Sequence, residues 1–231
     1  MTDLAAVYAA LAQVRDPEVD EPITAMGFVA DVASREDGIH VTLRLPTYFC
    51  APNFTYLMMA DAQRAVEAVA GRVHVALEGH FESGRLNTAL AEHQEFSAAF
   101  GDEATGELDE IRDRFRRKAF LVRQERLCRL LEEEGADAQA LLTLTIGDLP
   151  PSRACEEYLR LRAELGIDCD LGAPFLVAAD GTRVRPDRLH IHRRSASVLA
   201  LSFESNGALC RALLTARYDQ PDPVAREGAH T

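Results

Sequence analysis

The sequence lacks the short motifs that identify common enzymes and metal-binding folds. It contains no GxGxxG segment, phosphate-binding loop, GxSxG elbow or HExxH pair, which removes the usual sequence grounds for a nucleotide enzyme, a serine hydrolase or a zinc protease. Its five cysteines include no CxxC pair, so a preformed zinc ribbon or ferredoxin-type cluster is not expected. Because the cysteines are odd in number and widely scattered, they favour reduced thiols over a disulfide framework.

Long apolar runs and an excess of positive charge are also missing. No apolar run approaches the roughly 18 to 20 residues that span a bilayer, and the start "MTDLAAVYAA" lacks the basic residues of a secretory signal. The 25 Lys and Arg residues are outnumbered by 37 Asp and Glu residues, and the net charge of -12 opposes a phosphate backbone. We therefore expect a cytoplasmic protein that binds neither nucleic acid nor membrane and has a protein partner.

The periodicity of the first ninety residues predicts a small α+β domain. Apolar residues at spacings of three and four predict a helix that Thr2 caps and Pro17 stops. Two strands joined at "REDG" follow, then a helix from Pro52 to just before Gly71, then a third strand in which Val73, Val75 and Leu77 face one side. The predicted order is helix, strand, strand, helix, strand.

The rest of the chain predicts a mostly helical extension. The segment "GELDEIRDRFRRKAFLVRQERLCRLLEEEG" predicts a long helix, and a second helix is expected over 152–165. Asp180-Gly181 predicts a short hairpin, "VLALSF" fits a strand or a helix, and "GALCRALLTARY" predicts a closing helix. We expect an α+β fold with domains at 1–82 and 83–218, followed by a disordered tail at 219–231.

Cys50 is the first candidate for chemistry. It lies in the turn between the second strand and the second helix, and Pro52 suits the first turn of that helix. Cys50 would therefore lie close to free backbone N–H groups and the positive end of the helix dipole, which favour a reactive, metal-binding thiolate. The alternative is that Cys50 is a small buried hydrophobe beside Phe49 and Phe54.

Three segments together resemble a known family. "DPEVDEPITAMGFV", "LPTYFCAPNF" and "RVHVAL" are similar to the metal-sulfur (iron-sulfur) cluster assembly domain of the SufT and PaaD type, over roughly residues 3 to 82. The resemblance implies that Met26, Gly27, Phe28 and Val29 open a strand and that Cys50 is the family's reactive cysteine. With its helical extension the chain also resembles accessory proteins of bacterial di-iron monooxygenases, which implies a di-iron hydroxylase as the client.

Three residues are candidates to support Cys50. Asp16 and Glu18 can hydrogen-bond backbone N–H groups in the turn after the first helix, or they can lie near Cys50 and help to hold ferrous iron. His80 follows the third strand and would approach Cys50 if the sheet places the strand ends together, for iron binding or for thiol activation.

A second, weaker candidate site lies in the extension. His190 and His192 would share one face of a strand, and Cys210 or Cys169 could join them as metal ligands. The flanking arginines disfavour a cation there. Cys128 and Cys155 lie beside leucines or alanines on predicted helices, and we expect them to be buried structural residues.

Three functions remain open on the sequence. The first is a maturation factor that holds iron or an iron-sulfur cluster transiently for a client metalloprotein, with a homodimer completing the ligand set around a lone thiol. The second is a metal-free adaptor or chaperone. The third is an enzyme with Cys50 as nucleophile, His80 as base and Asp16 as the group that orients it.

Overall fold

A computed structural model describes residues 3–101 and 108–218, which form two compact units. The first unit takes the described residues up to Leu108 and again from Ser205, and the second spans Asp109–Glu204. The sequence-based boundaries at 82 and 83 stay predictions about domain organisation. Thr2 and the tail at 219–231 lie outside the described residues. In the part of the chain that is described, no helix has the length and apolar character required to cross a bilayer.

The first unit has the predicted order of elements, and the predicted α+β class is confirmed. Its elements are α1 (Leu4–Leu11), β1 (Val29–Arg35), β2 (Gly38–Arg44), α2 (Pro52–Ala70), β3 (Val73–Glu78), α3 (Ser83–Ala91), α4 (Phe96–Phe100) and the last part of α8 (Leu189–Tyr218). Asp3 caps α1, because its side chain accepts a hydrogen bond from the Ala5 N–H at 2.9 Å. The local signals at Pro52 and Gly71 bound α2 as predicted.

The three strands form one sheet in the order β1-β2-β3. β1 pairs antiparallel with β2 across the predicted hairpin, whereas β2 pairs parallel with β3 in a register that sets His40 beside His74 and Leu43 beside Leu77. Since β2 and β3 are parallel, their C-terminal ends meet at one edge of the sheet. The segment with Cys50 follows β2 and the segment with His80 follows β3, so the sheet brings the two segments together.

The core of the first unit lies on one face of this sheet. Alternate strand residues are buried with residues of α1 and α2, as the strand period of two requires. Representative members of this core are Val7, Leu11, Ile39, Val41, Leu43, Met59, Val66, Val73, Val75 and Leu77. His40 and His74 alternate with these residues and therefore lie on the outer, solvent-facing side of the sheet.

The second unit is helical. It contains α5 (Leu108–Glu133) from Asp109 onward, α6 (Ala138–Thr143), α7 (Arg153–Glu164) and the first part of α8. The predicted long helix and the helix that Ser152 caps are both present. The predicted hairpin is a tight turn closed by a single antiparallel bridge between Val177 and Arg183. "VLALSF" is helical and belongs to α8.

A buried arginine organises this second unit. The Arg162 side chain is 1% exposed, and its guanidinium donates to the Tyr158 hydroxyl at 2.7 Å and to the carbonyls of Asp168 at 2.6 Å, Pro174 at 3.0 Å and Phe175 at 3.1 Å. A buried charge is costly unless its donors are satisfied, and here backbone carbonyls satisfy them. Arg162 thereby ties the loop after α7 to the helix.

Candidate functional site

Cys50 lies half-buried just before the first turn of α2. Ala51 occupies the N-cap position and has no polar side chain with which to satisfy the first N–H groups of the helix. The Thr47 Oγ1 atom lies 3.2 Å from the Cys50 Sγ atom and also accepts a hydrogen bond from the Phe49 N–H at 3.2 Å. Because that oxygen accepts from a backbone amide, its own O–H is available to donate to the sulfur.

His80 holds the backbone of the cysteine segment. Its ring is 3% exposed, its Nε2 atom lies 2.7 Å from the Cys50 carbonyl oxygen, and its Nδ1 atom lies 3.2 Å from the Glu82 amide nitrogen. A carbonyl needs a donor and an amide needs an acceptor, so both bonds require the neutral tautomer with its proton on Nε2. Both ring nitrogens are engaged with backbone groups. His80 therefore positions Cys50 through the main chain.

Asp16 organises the turn after α1. Its Oδ1 atom accepts hydrogen bonds from the Glu18 N–H at 2.7 Å and the Val19 N–H at 3.1 Å, which is the turn role considered from the sequence. The side chain is only 7% exposed, and burial raises the pKa of Asp16 to about 6 against the opposing effect of these hydrogen bonds. The negative charges of Glu18 and Glu21 also raise this pKa.

Cys210 joins this region from the far end of the sequence. It lies on the part of α8 that belongs to the first unit, half-buried against the same core as Cys50. Burial, together with the negative charges of Asp16, Cys50 and Glu18, raises the pKa of the Cys210 thiol to about 11. A negative charge on Asp16, Cys50 or Glu18 is thus close enough to disfavour ionisation of Cys210.

Arginine contacts hold this segment of α8 in the first unit. Arg211 Nη1 lies 2.5 Å from Glu21 Oε2, and Arg217 Nη1 donates to the Leu45 carbonyl at 3.1 Å. Arg217 also donates to the Gly79 carbonyl. Leu214 packs directly over Gly27, whose φ of +76° is a conformation that favours glycine and where an added Cβ would lie 3.0 Å from Leu214 Cδ2.

Three exposed aromatic rings adjoin the cysteine. Tyr48, Phe49 and Phe81 are 49%, 75% and 43% exposed. Their ring centroids lie 5.0 to 6.2 Å apart, so they form one continuous cluster. The alternative interpretation of Cys50 placed Phe49 beside it in the core, but Phe49 is in solvent. Exposed apolar clusters of this kind mark surfaces that bind other proteins.

Residues 4–77 match the family of iron-sulfur cluster assembly proteins. The matched segment is about a third of the chain and runs from α1 to the last residues of β3, so it contains Asp16, Glu18 and Cys50. His80 and Cys210 lie beyond it. No curated protein and no solved structure matches the chain. The match supports a general role in iron-sulfur assembly or maturation.

The second candidate site does not have the predicted strand geometry. His190 and His192 lie in the first turn of α8, so the prediction that they share a strand face is wrong, and residues two apart on a helix point in different directions. His192 Nε2 lies 2.8 Å from Gln124 Oε1, and burial lowers the pKa of His192. Cys169 is exposed, and Cys210 belongs to the other unit.

The two remaining cysteines are buried, as expected. Burial raises the pKa of Cys128 to about 12 and also raises that of Cys155, so both behave as apolar side chains.

The sequence missed two features of this site. The first is the packing of Cys210 on the same core as Cys50. The local pattern of a helix does not show which distant residues its side chains approach. The second is the exposure of Tyr48, Phe49 and Phe81. Aromatic residues in a turn between two predicted elements were the available signal for the second feature.

Proposed function

We propose that this protein helps to insert iron or an iron-sulfur centre into a client metalloprotein, with Cys50 as the thiol that holds iron transiently. The observation that carries this proposal is that Cys50 and Cys210 pack against one core, with Asp16 and Glu18 close enough to disfavour ionisation of Cys210. All four are residue types that ligate iron, and the thiolates among them are the ligands that iron-sulfur centres require.

A bound cation would relieve the repulsion within this group. Burial and neighbouring negative charges raise the pKa values of Asp16 and Cys210, so each group gives up its proton less readily when no metal is bound. Ferrous iron would displace those protons and pair with the charges left behind. Perturbed ionisable groups that cluster in this way are typical of functional sites.

The arrangement favours transient over permanent binding. Among residues 3–101 and 108–218, three ligand-type atoms lie within 4.8 Å of one another only at Asp37, His40 and His74. Since the described residues give the Cys50 region no such trio, we propose that the client or a second subunit in a homodimer supplies the missing ligands. A weakly held iron is also easier to hand over.

The client would dock beside the thiol. Tyr48 and Phe49 immediately precede Cys50, and Phe81 immediately follows the His80 that contacts the Cys50 carbonyl, so a protein bound to these rings would lie beside the Cys50 segment. On the resemblance to monooxygenase accessory proteins, we propose a di-iron hydroxylase as this client and the cytoplasm as the compartment, where thiols stay reduced.

Anaerobic reconstitution tests the proposal. The full-length protein and its Cys50→Ser, Cys210→Ser and Cys169→Ser variants are incubated with ferrous iron and sulfide, desalted and analysed for metal. We expect Cys50→Ser and Cys210→Ser each to retain less iron than the parent protein, and the exposed control Cys169→Ser to match the parent. Equal iron in the parent and Cys50→Ser would refute the role of Cys50.

The exposed rings also favour a second function, a metal-free adaptor. That function predicts the same iron content in all four proteins, with binding to the hydroxylase unaffected by Cys50→Ser and lost in Phe49→Ser. Under the maturation proposal, Phe49→Ser retains iron but transfers it poorly, because the thiol is intact and the docking surface is not.

A further inference from the structure

Three other metal-ligating side chains meet at the opposite end of the sheet. Asp37 lies in the turn between β1 and β2, His40 is on β2, and His74 is on β3. The parallel register places His40 beside His74, and their ring centroids are 4.7 Å apart. One ligand atom from each of the three residues lies within 4.8 Å of the other two.

The distances between these atoms suit a shared ion. His40 Nε2 lies 2.9 Å from Asp37 Oδ1, and His74 Nε2 lies 3.7 Å from Asp37 Oδ2. Ligands bound at about 2.0 to 2.1 Å in tetrahedral geometry are about 3.3 Å from one another. The two measured distances, which end on different oxygens of Asp37, fall on either side of that value, and one ligand atom from each residue lies within 4.8 Å of the other two. Side-chain rotations would therefore bring all three groups to bonding distance.

The backbone beneath the cluster is closely packed. Gly38 follows Asp37 with a φ of +137°, and an added Cβ there would lie 2.5 Å from the Arg72 carbonyl oxygen. The same carbonyl accepts the Ile39 N–H at 3.0 Å. Because the turn and the start of β3 are locked together in this way, the spacing between Asp37 and His74 is set by main-chain contacts.

The donor set and its exposure indicate the class of ion. Two imidazoles and one carboxylate suit zinc, ferrous iron and related divalent ions and leave coordination positions open. The side chains of Asp37, His40 and His74 are 57%, 24% and 48% exposed, so water or an external ligand can reach those positions. Asp37 also holds His40 by a hydrogen bond before any metal binds.

We propose that Asp37, His40 and His74 bind one divalent first-row transition-metal ion. This site is separate from Cys50, since His40 and His74 lie near the start of β2 and β3 whereas Cys50 follows the end of β2. It goes beyond the function proposed above, and either proposal can fail without the other.

Zinc titration of the full-length, reduced protein tests this site. Histidine side-chain NMR spectra are recorded during addition of Zn²⁺, and the signals of His40 and His74 are assigned from His40→Gln and His74→Gln. We expect the signals of both rings to shift together and to saturate at one equivalent. Asp37→Asn and His74→Gln should each weaken zinc binding at least about tenfold, because loss of even an outer-shell partner costs about 10 to 100-fold.

Two controls locate the effect. His93→Gln removes an exposed histidine elsewhere in the same unit and should leave zinc affinity unchanged, and Cys50→Ser should retain the shifts of both rings. Urea unfolding without zinc checks that Asp37→Asn and His74→Gln are folded. The proposal is overturned if Zn²⁺ leaves the signals of His40 and His74 in place, or if folded Asp37→Asn and His74→Gln bind zinc as tightly as the parent.

Discussion

The substitution Asp16→Asn separates the structural role of Asp16 from its charge. Asparagine keeps the side-chain oxygen that accepts the N–H groups of Glu18 and Val19, and it has the shape of the protonated acid. It removes only the ability to ionise. Since the Asp16 side chain is 7% exposed, its carboxylate is poorly solvated in the folded protein.

The size of the effect follows from the pKa. Raising a pKa from 3.8 to about 6 corresponds to about 3 kcal/mol, since each pH unit corresponds to about 1.4 kcal/mol. The folded pKa lies above the unfolded one, so the stabilisation from proton binding is complete below pH 3.8 and is lost as the pH rises through about 6. The free energy of unfolding of Asp16→Asn should therefore be higher than that of the parent protein, by up to about 3 kcal/mol at pH 7.5 and by less than about 1 kcal/mol at pH 4.

Urea unfolding between pH 4 and pH 8 measures this difference. Asp31→Asn, which changes an exposed carboxyl in the same unit, is the matched control and should show no comparable pH-dependent gain. A difference between Asp16→Asn and the parent that stays constant with pH, or that grows toward acid, would refute the reasoning. If Asp16 helps to hold iron, the same variant should also retain less iron after reconstitution, so a gain in stability would accompany a loss of function.

Two further substitutions test the packing around the cysteine. Gly27→Ala should lower the free energy of unfolding by about 1 to 3 kcal/mol, because the positive φ is strained for alanine and its Cβ meets Leu214; a urea midpoint equal to that of the parent would contradict this. His80→Phe keeps a ring but leaves the Cys50 carbonyl and the Glu82 amide without its hydrogen bonds, and should cost about 1 to 3 kcal/mol per unsatisfied group. An unchanged urea midpoint for His80→Phe would show that these bonds do not stabilise the fold.

Iron retention by Cys210→Ser tests whether a residue outside the matched segment 4–77 contributes to iron binding. Cys210 is about 130 residues beyond the end of the matched segment, yet it lies in the same compact unit. Its packing depends on α8, which the contacts of Arg211, Leu214 and Arg217 hold against that unit. The second thiol is therefore a property of this chain and not of the matched segment alone.

Local chemistry in the sequence determined most of the secondary structure of the first unit. Pro52 and Gly71 bound α2 because proline suits the first turn and glycine accepts a positive φ at the last. The alternation of Val73, Val75 and Leu77 identified β3 because successive strand side chains point to opposite faces. The turn role, one of the two roles that the sequence left open for Asp16, is equally local, since its partners are two and three residues away.

Only the tertiary structure shows which of the candidate site residues lie close to one another. His40 and His74 share a cluster because β2 and β3 pair in parallel and in a particular register, which depends on packing across the sheet. The local pattern of "RLHIHRR" predicts a strand, whereas in the folded chain this segment begins a helix. Cys210 approaches Cys50 and Asp16 only because distant segments of the chain pack on one core. Local preferences extend over a few residues, whereas such contacts depend on the free energy of burying surfaces that are far apart in sequence.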